Sequence, residues 1–292
     1  MSRMIRTIGL VVSLAAAPVW ANETVERTLE MPADGRVSVE NMAGNVEIEA
    51  WDRAEARVVV EPGDEVEEVE IDALANGIRV YVRNRGNNND VDGSDVVMRV
   101  PRGAQVEVNG ISTDVSVKGI KNSSILIETI SGELEVEADT DQLELSAVSG
   151  DISFDGAASR VTAETVSGDV VLVGVSGEVQ ANVVSGDVTV EASSVNRARF
   201  EGVSGDISLD LSVADGGRLS CDSMSGEVVI RLPAGQEGEF TAQSFSGSIS
   251  SDFGEVSQVS RGSGEVLKHR EGSSSASIRV ESFSGDTSIR KQ

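Results

Sequence analysis

Apolar and polar residues alternate in short, evenly spaced runs through most of the chain. Leu143, Leu145 and Ala147 alternate with Glu144 and Ser146; Val161, Ala163 and Thr165 with Thr162 and Glu164; Val179, Ala181 and Val183 with Gln180 and Asn182. A period of two places one side-chain set on each face of a strand, so each run predicts a strand with one buried face. A second, shorter run follows each one: Ile152 and Phe154, Val170 and Leu172, Val188 and Val190, Ile207 and Leu209, Val228 and Ile230.

Between the two runs stands a Ser-Gly-acid triplet. Ser131, Ser149, Ser167, Ser185, Ser204 and Ser225 open these triplets at intervals of 18, 18, 18, 19 and 21 residues. Ser246-Gly247-Ser248 follows 21 residues later, and Ser284-Gly285-Asp286 a further 38, or two periods. A period near 20 residues marks a solenoid, in which one coil cannot bury its apolar face alone and neighbours complete the core. The expected fold is therefore all-β: a single-stranded parallel β-helix with coils of about 18–21 residues, each strand stacked on its equivalent in the next coil at about 4.8 Å. Glycine suits the corner because it tolerates positive φ, and serine can bond local backbone there. The residue before each serine is apolar (Ile130, Val148, Val166, Val184, Val203, Met224, Phe245, Phe283), and is expected to fill the bend.

The frame extends outward with weaker signals. Met42, Ala43-Gly44-Asn45 and Ile111, Ser112-Thr113-Asp114 fit it with altered corners, while 56–60, 69–71, 78–82 and 96–100 alternate like strands without a corner. Residues 84–94 read as an exposed loop, 262–277 as a looser tail and 272–275 as a loop before the final coil. Ser167, Ser176 and Ser185 are nine residues apart, so a full coil is expected to have two similar arms. Arg290 and Lys291 fall where a terminal sheet edge would lie open, and charge there would discourage end-to-end pairing.

The first residues do not share this pattern. Arg3 and Arg6, an apolar run over 8–17 and Val19-Trp20-Ala21 read as a secretory signal peptide cleaved near Ala21. The expected organisation is thus 1–21 signal peptide and 22–292 one β-helix domain, with regular repeats over 105–290 and less regular coils over 37–104. No other apolar run approaches the roughly 20 residues that cross a bilayer, so no stable membrane insertion is expected. The expected location is the periplasm or cell surface. Loss of Arg3 and Arg6 moves the formal charge from −25 to −27. Such acidity argues against nucleic acid or anionic lipid as a partner held by general attraction. Cys221 is the only cysteine, so no intramolecular disulfide forms.

A signal peptide followed by coils with corners such as Thr165-Val166-Ser167-Gly168-Asp169-Val170, echoed by Ser282-Phe283-Ser284-Gly285-Asp286, resembles a bacterial family of exported β-helical proteins labelled as adhesins or as a domain of unknown function. The similarity covers most of the chain after the signal peptide. It implies a right-handed β-helix at the cell envelope and brings no established catalytic residues.

The residues themselves offer little chemistry. The acids two places after each serine (Asp114, Glu133, Asp151, Asp169, Asp187, Asp206, Glu227, Asp286) form a column that could attract a cation, but they read as solvated corner residues bonding local backbone. The paired glycines of calcium-binding β-rolls are missing, and no calcium site is expected. His269, alone in the chain, cannot build a multi-histidine metal site and reads as exposed. Cys221 replaces an inward apolar residue and reads as buried rather than nucleophilic. Trp51 and Tyr81 are the aromatics available to a sugar. No catalytic, cofactor or metal residue is assigned. The expected function is a non-enzymatic cell-envelope scaffold of the binding or adhesion type, its partner an unidentified envelope protein or glycan. The alternative is a β-helical polysaccharide lyase or hydrolase, which would need clustered carboxylates, whereas these are evenly spread.

Overall fold

The computed structural model describes residues 23–64, 66–84, 93–259 and 264–292; the expected signal peptide and most of the expected 84–94 loop lie outside them. Every regular element among the described residues is a β-strand. The body is the expected solenoid. Leu134–Ser149, Ile152–Ser167, Val170–Ser185 and Val188–Ser204 pair successively, in parallel and in register, so that Val161 faces Val179 and Ala163 faces Ala181. Each long strand carries one arm of a coil around a corner into the other arm of the same coil.

The inward columns are almost wholly apolar, and their buried residues join in one connected core. Within a coil, large and small residues compensate. Phe154 shares its coil with Ala158 and Ala163, whereas Val190 shares its coil with Phe200; all five are at most 2% exposed. This keeps the cross-section filled as the column sequence changes, as close packing demands.

Both arms end in a corner with its own hydrogen-bond ladder. At the second corner, hydroxyls reach back to the carbonyl of the preceding coil: Ser123 Oγ to Ala104 O at 2.8 Å, Ser159 Oγ to Asp141 O at 3.0 Å, Ser176 Oγ to Ala158 O at 3.2 Å. The nine-residue half period seen at Ser176 is this second corner.

The ends depart from serial stacking. Ser277–Ser284 lies between Val213–Ser225 and Gly238–Ser246, and Thr287–Lys291 lies between Val228–Leu232 and Ile249–Ser251. The coil of Ser284 is thus inserted before the coil of Ser246, and the 38-residue interval is a detour rather than two stacked periods. Arg290 and Lys291 accordingly sit on an interior strand, not at an open edge; Arg290 approaches Asp252 at 3.8 Å and the Lys291 ammonium lies 4.7 Å from the Phe253 ring centre. The N-terminal end mirrors this arrangement. Arg36–Trp51 is flanked by Gln105–Lys121 on one side and by Gly77–Asn84 and Ser94–Pro101 on the other.

The outermost coils are then sealed by antiparallel strands. Val66–Leu74 covers Gly77–Asn84, Glu55–Glu61 covers Ser94–Pro101, and Val25–Glu30 covers Glu55–Glu61. At the other end Glu265–Glu271 covers Gly238–Ser246 and is itself paired with Val256–Gln258. Part of the tail expected to be loose is therefore a capping hairpin, and the strands without corner signals include the caps. A solenoid needs such ends because an open edge would template further strands.

Candidate binding surface

The first corner shows what the triplet does. Gly168 has φ of 141°, and a Cβ there would stand 2.1 Å from the Gly150 carbonyl oxygen of the neighbouring coil. Two backbones cross too closely for any side chain. The acid two places after the serine then bonds across coils rather than locally, as had been expected. The amide N–H of Asp169 donates to Asp151 Oδ1 at 2.8 Å, that of Asp187 to Asp169 at 2.8 Å, that of Asp206 to Asp187 at 2.7 Å and that of Glu227 to Asp206 at 2.7 Å. The series includes Asp114 and Asp286, which receive the amides of Glu133 and Ser248. The amide and hydroxyl of Ser248 hold the Asp286 carboxyl below the usual aspartate range. The acidic column is a structural ladder.

The other candidates find structural places. Cys221 is fully buried in its inward column, and desolvation pushes its thiol far up, away from nucleophilic form. His269 is half-buried on the capping strand Glu265–Glu271, 2.9 Å from the Glu271 carboxylate; its ring centre is 6.4 Å from that of Phe240. Trp51 donates its indole N–H to Glu55 O at 2.8 Å, with the Arg53 guanidinium 4.8 Å from the ring centre. Arg83 lies 5.5 Å from the Tyr81 ring centre. These aromatics stand at the N-terminal end rather than together in a cleft. Among the described residues no group of three or more His, Cys, Asp or Glu side chains is placed to hold a metal ion, and no helix is long and apolar enough to cross a membrane.

The apolar residue before each serine is the feature whose position differs most from expectation. It does not fill the bend. It points outward, and Ile130, Val148, Val166, Val184, Val203, Met224, Phe283 and Phe245 are each 44–53% exposed. The alternation itself requires this: residues two, four and six places before the serine face inward, so the residue one place before must face out. Met42 and Ile111 extend the same column. The register carries it across ten coils, from Met42 beside Ile111 to Met224 beside Phe283 and Phe283 beside Phe245. The last two rings stack with centres 5.1 Å apart and planes 7° apart. At coil spacing the column runs for about 43 Å.

From Val148 to Phe245 this column lines a trough of about 920 Å³. The neighbouring outward position, three places before the serine, supplies Glu164, Asn182, Glu201, Asp222 and Glu281 to the same trough. Small residues at the intervening position, including Ala147, Gly202 and Ser223, complete its surface. Arg199 and Arg279 pair with Glu201 and Glu281, leaving Glu164 and Asp222 without an ion pair among the described residues. The corner acids follow on the other side of the apolar column in sequence. An apolar stripe thus runs between a polar row that includes four acids and the row of corner acids.

Comparison with known proteins places this geometry. A family model described as Toastrack DUF4097 matches residues 33–215 and again 212–290. Two solved structures share the fold. A "putative adhesin" from Parabacteroides merdae is 10% identical, aligns over 93% of this chain and 98% of its own, and has a TM-score of 0.54. A "putative adhesin" from Parabacteroides distasonis is 10% identical over 92% of this chain and 98% of its own, with a TM-score of 0.50. No curated protein matches the chain. With nearly all of the stacked coils inside the two matched segments, the chain belongs to the Toastrack DUF4097 family, whose fold is a β-solenoid.

Proposed function

We propose that this protein is a non-enzymatic, exported envelope scaffold of the adhesion type, and that it binds its partner along the outward apolar column. The observation that supports this is the column itself: large apolar side chains at about half exposure, repeated in register coil after coil. Scattered exposed apolar residues are ordinary, whereas a contiguous stripe marks an interaction face. Nothing in the core requires these residues, since the inward columns are filled without them. The adhesin designation of the two Parabacteroides proteins is in keeping with this role, and the signal-like start of the sequence is in keeping with export.

The test compares the protein with Val166→Ser/Val184→Ser/Val203→Ser against isolated envelope fractions and a glycan panel. The protein should retain an envelope ligand and cleave no glycan, and the triple variant should lose that ligand without a change in thermal midpoint. Turnover of any polymer would instead support the lyase or hydrolase reading. Retention of every ligand by the triple variant would remove the column from the binding face.

A further inference from the structure

We infer that the partner presents a basic amphipathic α-helix, which lies lengthwise in the trough with its apolar face on the Val148–Phe245 stretch and its cations toward the acid-bearing rows. This rests on the reading of the trough as the binding surface and adds the chemistry of what it holds.

Three observations carry it. The first is charge. The trough contains Glu164 and Asp222 without ion-pair partners among the described residues, and the corner acids beyond the apolar column are all exposed. The chain carries 49 acidic against 24 basic Lys and Arg residues. A second copy of this chain would bring acid against acid, and an anionic lipid surface would be repelled for the same reason. A cationic partner is drawn in, and its charges would fall on carboxylates rather than on apolar surface.

The second is length. The stretch spans six coil intervals, or about 29 Å, which a helix of about 20 residues covers. The third is spacing. One apolar side chain is presented per coil, about every 4.8 Å. An amphipathic helix presents its apolar residues about once per 5.4 Å turn, a mismatch that side-chain reach absorbs over this length. An extended segment laid along the same axis would present one face about every 6.8 Å and would fall out of step with the coils by about 2 Å at each repeat. Helix-in-groove recognition uses this kind of repeated apolar anchoring.

The experiment titrates the protein with a fluorescent Leu/Lys peptide of about 20 residues whose leucines repeat at helical spacing. Saturable binding with a gain of helical ellipticity is expected, weakened severalfold between about 0.05 and about 0.5 M salt. Val166→Ser/Val184→Ser/Val203→Ser should weaken it at least about tenfold. Glu164→Gln/Glu201→Gln/Asp222→Asn should weaken it roughly fivefold at low salt and little at high salt.

Equal binding of a scrambled peptide of the same composition, or of a Leu/Glu helix, would overturn the inference. So would column-dependent binding to phosphatidylcholine–phosphatidylglycerol vesicles, or a column-dependent dimer in sedimentation, without binding of the Leu/Lys helix. If that helix fails while the valine variant still loses its envelope ligand, the partner class is wrong and the binding surface stands. If the valine variant keeps every envelope ligand, both fall.

Discussion

Asp169 shows how an exposed acid can be structural. Its Oδ1 accepts the amide of Asp187 from the next coil while its own amide is held by Asp151. Asp169→Ala removes one acceptor and leaves an amide at a close backbone crossing; a loss of about 1 kcal/mol is expected in urea unfolding. Asp169→Asn keeps an oxygen acceptor and should lose less. Equal losses for the two variants would show that charge, not the cross-coil bond, matters. Asp286 makes the same point through pH. Ser248 lowers its folded pKa below the unfolded value, so its stabilising effect is present above the unfolded aspartate range near 4 and fades as pH falls through the lower folded value. The stability gap between the protein and Asp286→Asn should therefore close on acidification below about pH 4. A gap that stays constant down to about pH 2 would exclude the linkage.

A coil turns where two backbones almost touch, and this sets what each corner tolerates. Gly186, with φ of 142° and a virtual Cβ 2.1 Å from Gly168 O, has no room for a methyl group. Gly186→Ala should cost about 2 kcal/mol or more, read as a fall in thermal midpoint. Gly235 has no heavy atom within 4 Å of its virtual Cβ, and Gly235→Ala should be close to neutral; a similar loss at both sites would show that the corner crossing is not special. The corner signal was legible in sequence because most coils meet this demand with glycine, while the altered corner at Thr113 lacks the positive φ. The outward apolar column was legible too, through alternation, but its apolar identity suggested burial. Composition and period pointed in opposite directions at Val148, Val166 and Val184, and the period held because a strand cannot turn one side chain inward without turning its neighbours out.

Stacking order is a property of the assembled solenoid. Ser277–Ser284 closes the gap between Val213–Ser225 and Gly238–Ser246 with parallel pairing on both sides. A chain ending at residue 276 would lack this filling coil, so two coil surfaces would lose their partner together. Deletion of 277–292 should abolish the single cooperative melting transition in calorimetry rather than fray one end. A truncated chain that melts cooperatively near the original midpoint would show that the neighbouring coils close the gap by themselves. The caps belong to this level as well: Glu265–Glu271 and Glu55–Glu61 occupy edges that further strands would otherwise join.

The sequence by itself determined the coil: period, inward columns, glycine corners and two arms follow from local alternation and from steric demands within a few residues. Only the tertiary structure decided which coil lies next to which. The surfaces offered by the coils of Ser225, Ser246 and Ser284 repeat the same pattern, so local residues do not distinguish serial stacking from insertion, and closure of both ends settles the order. The same stacking turned one exposed apolar residue per coil into a continuous face between acid-bearing rows, a property that no single repeat possesses.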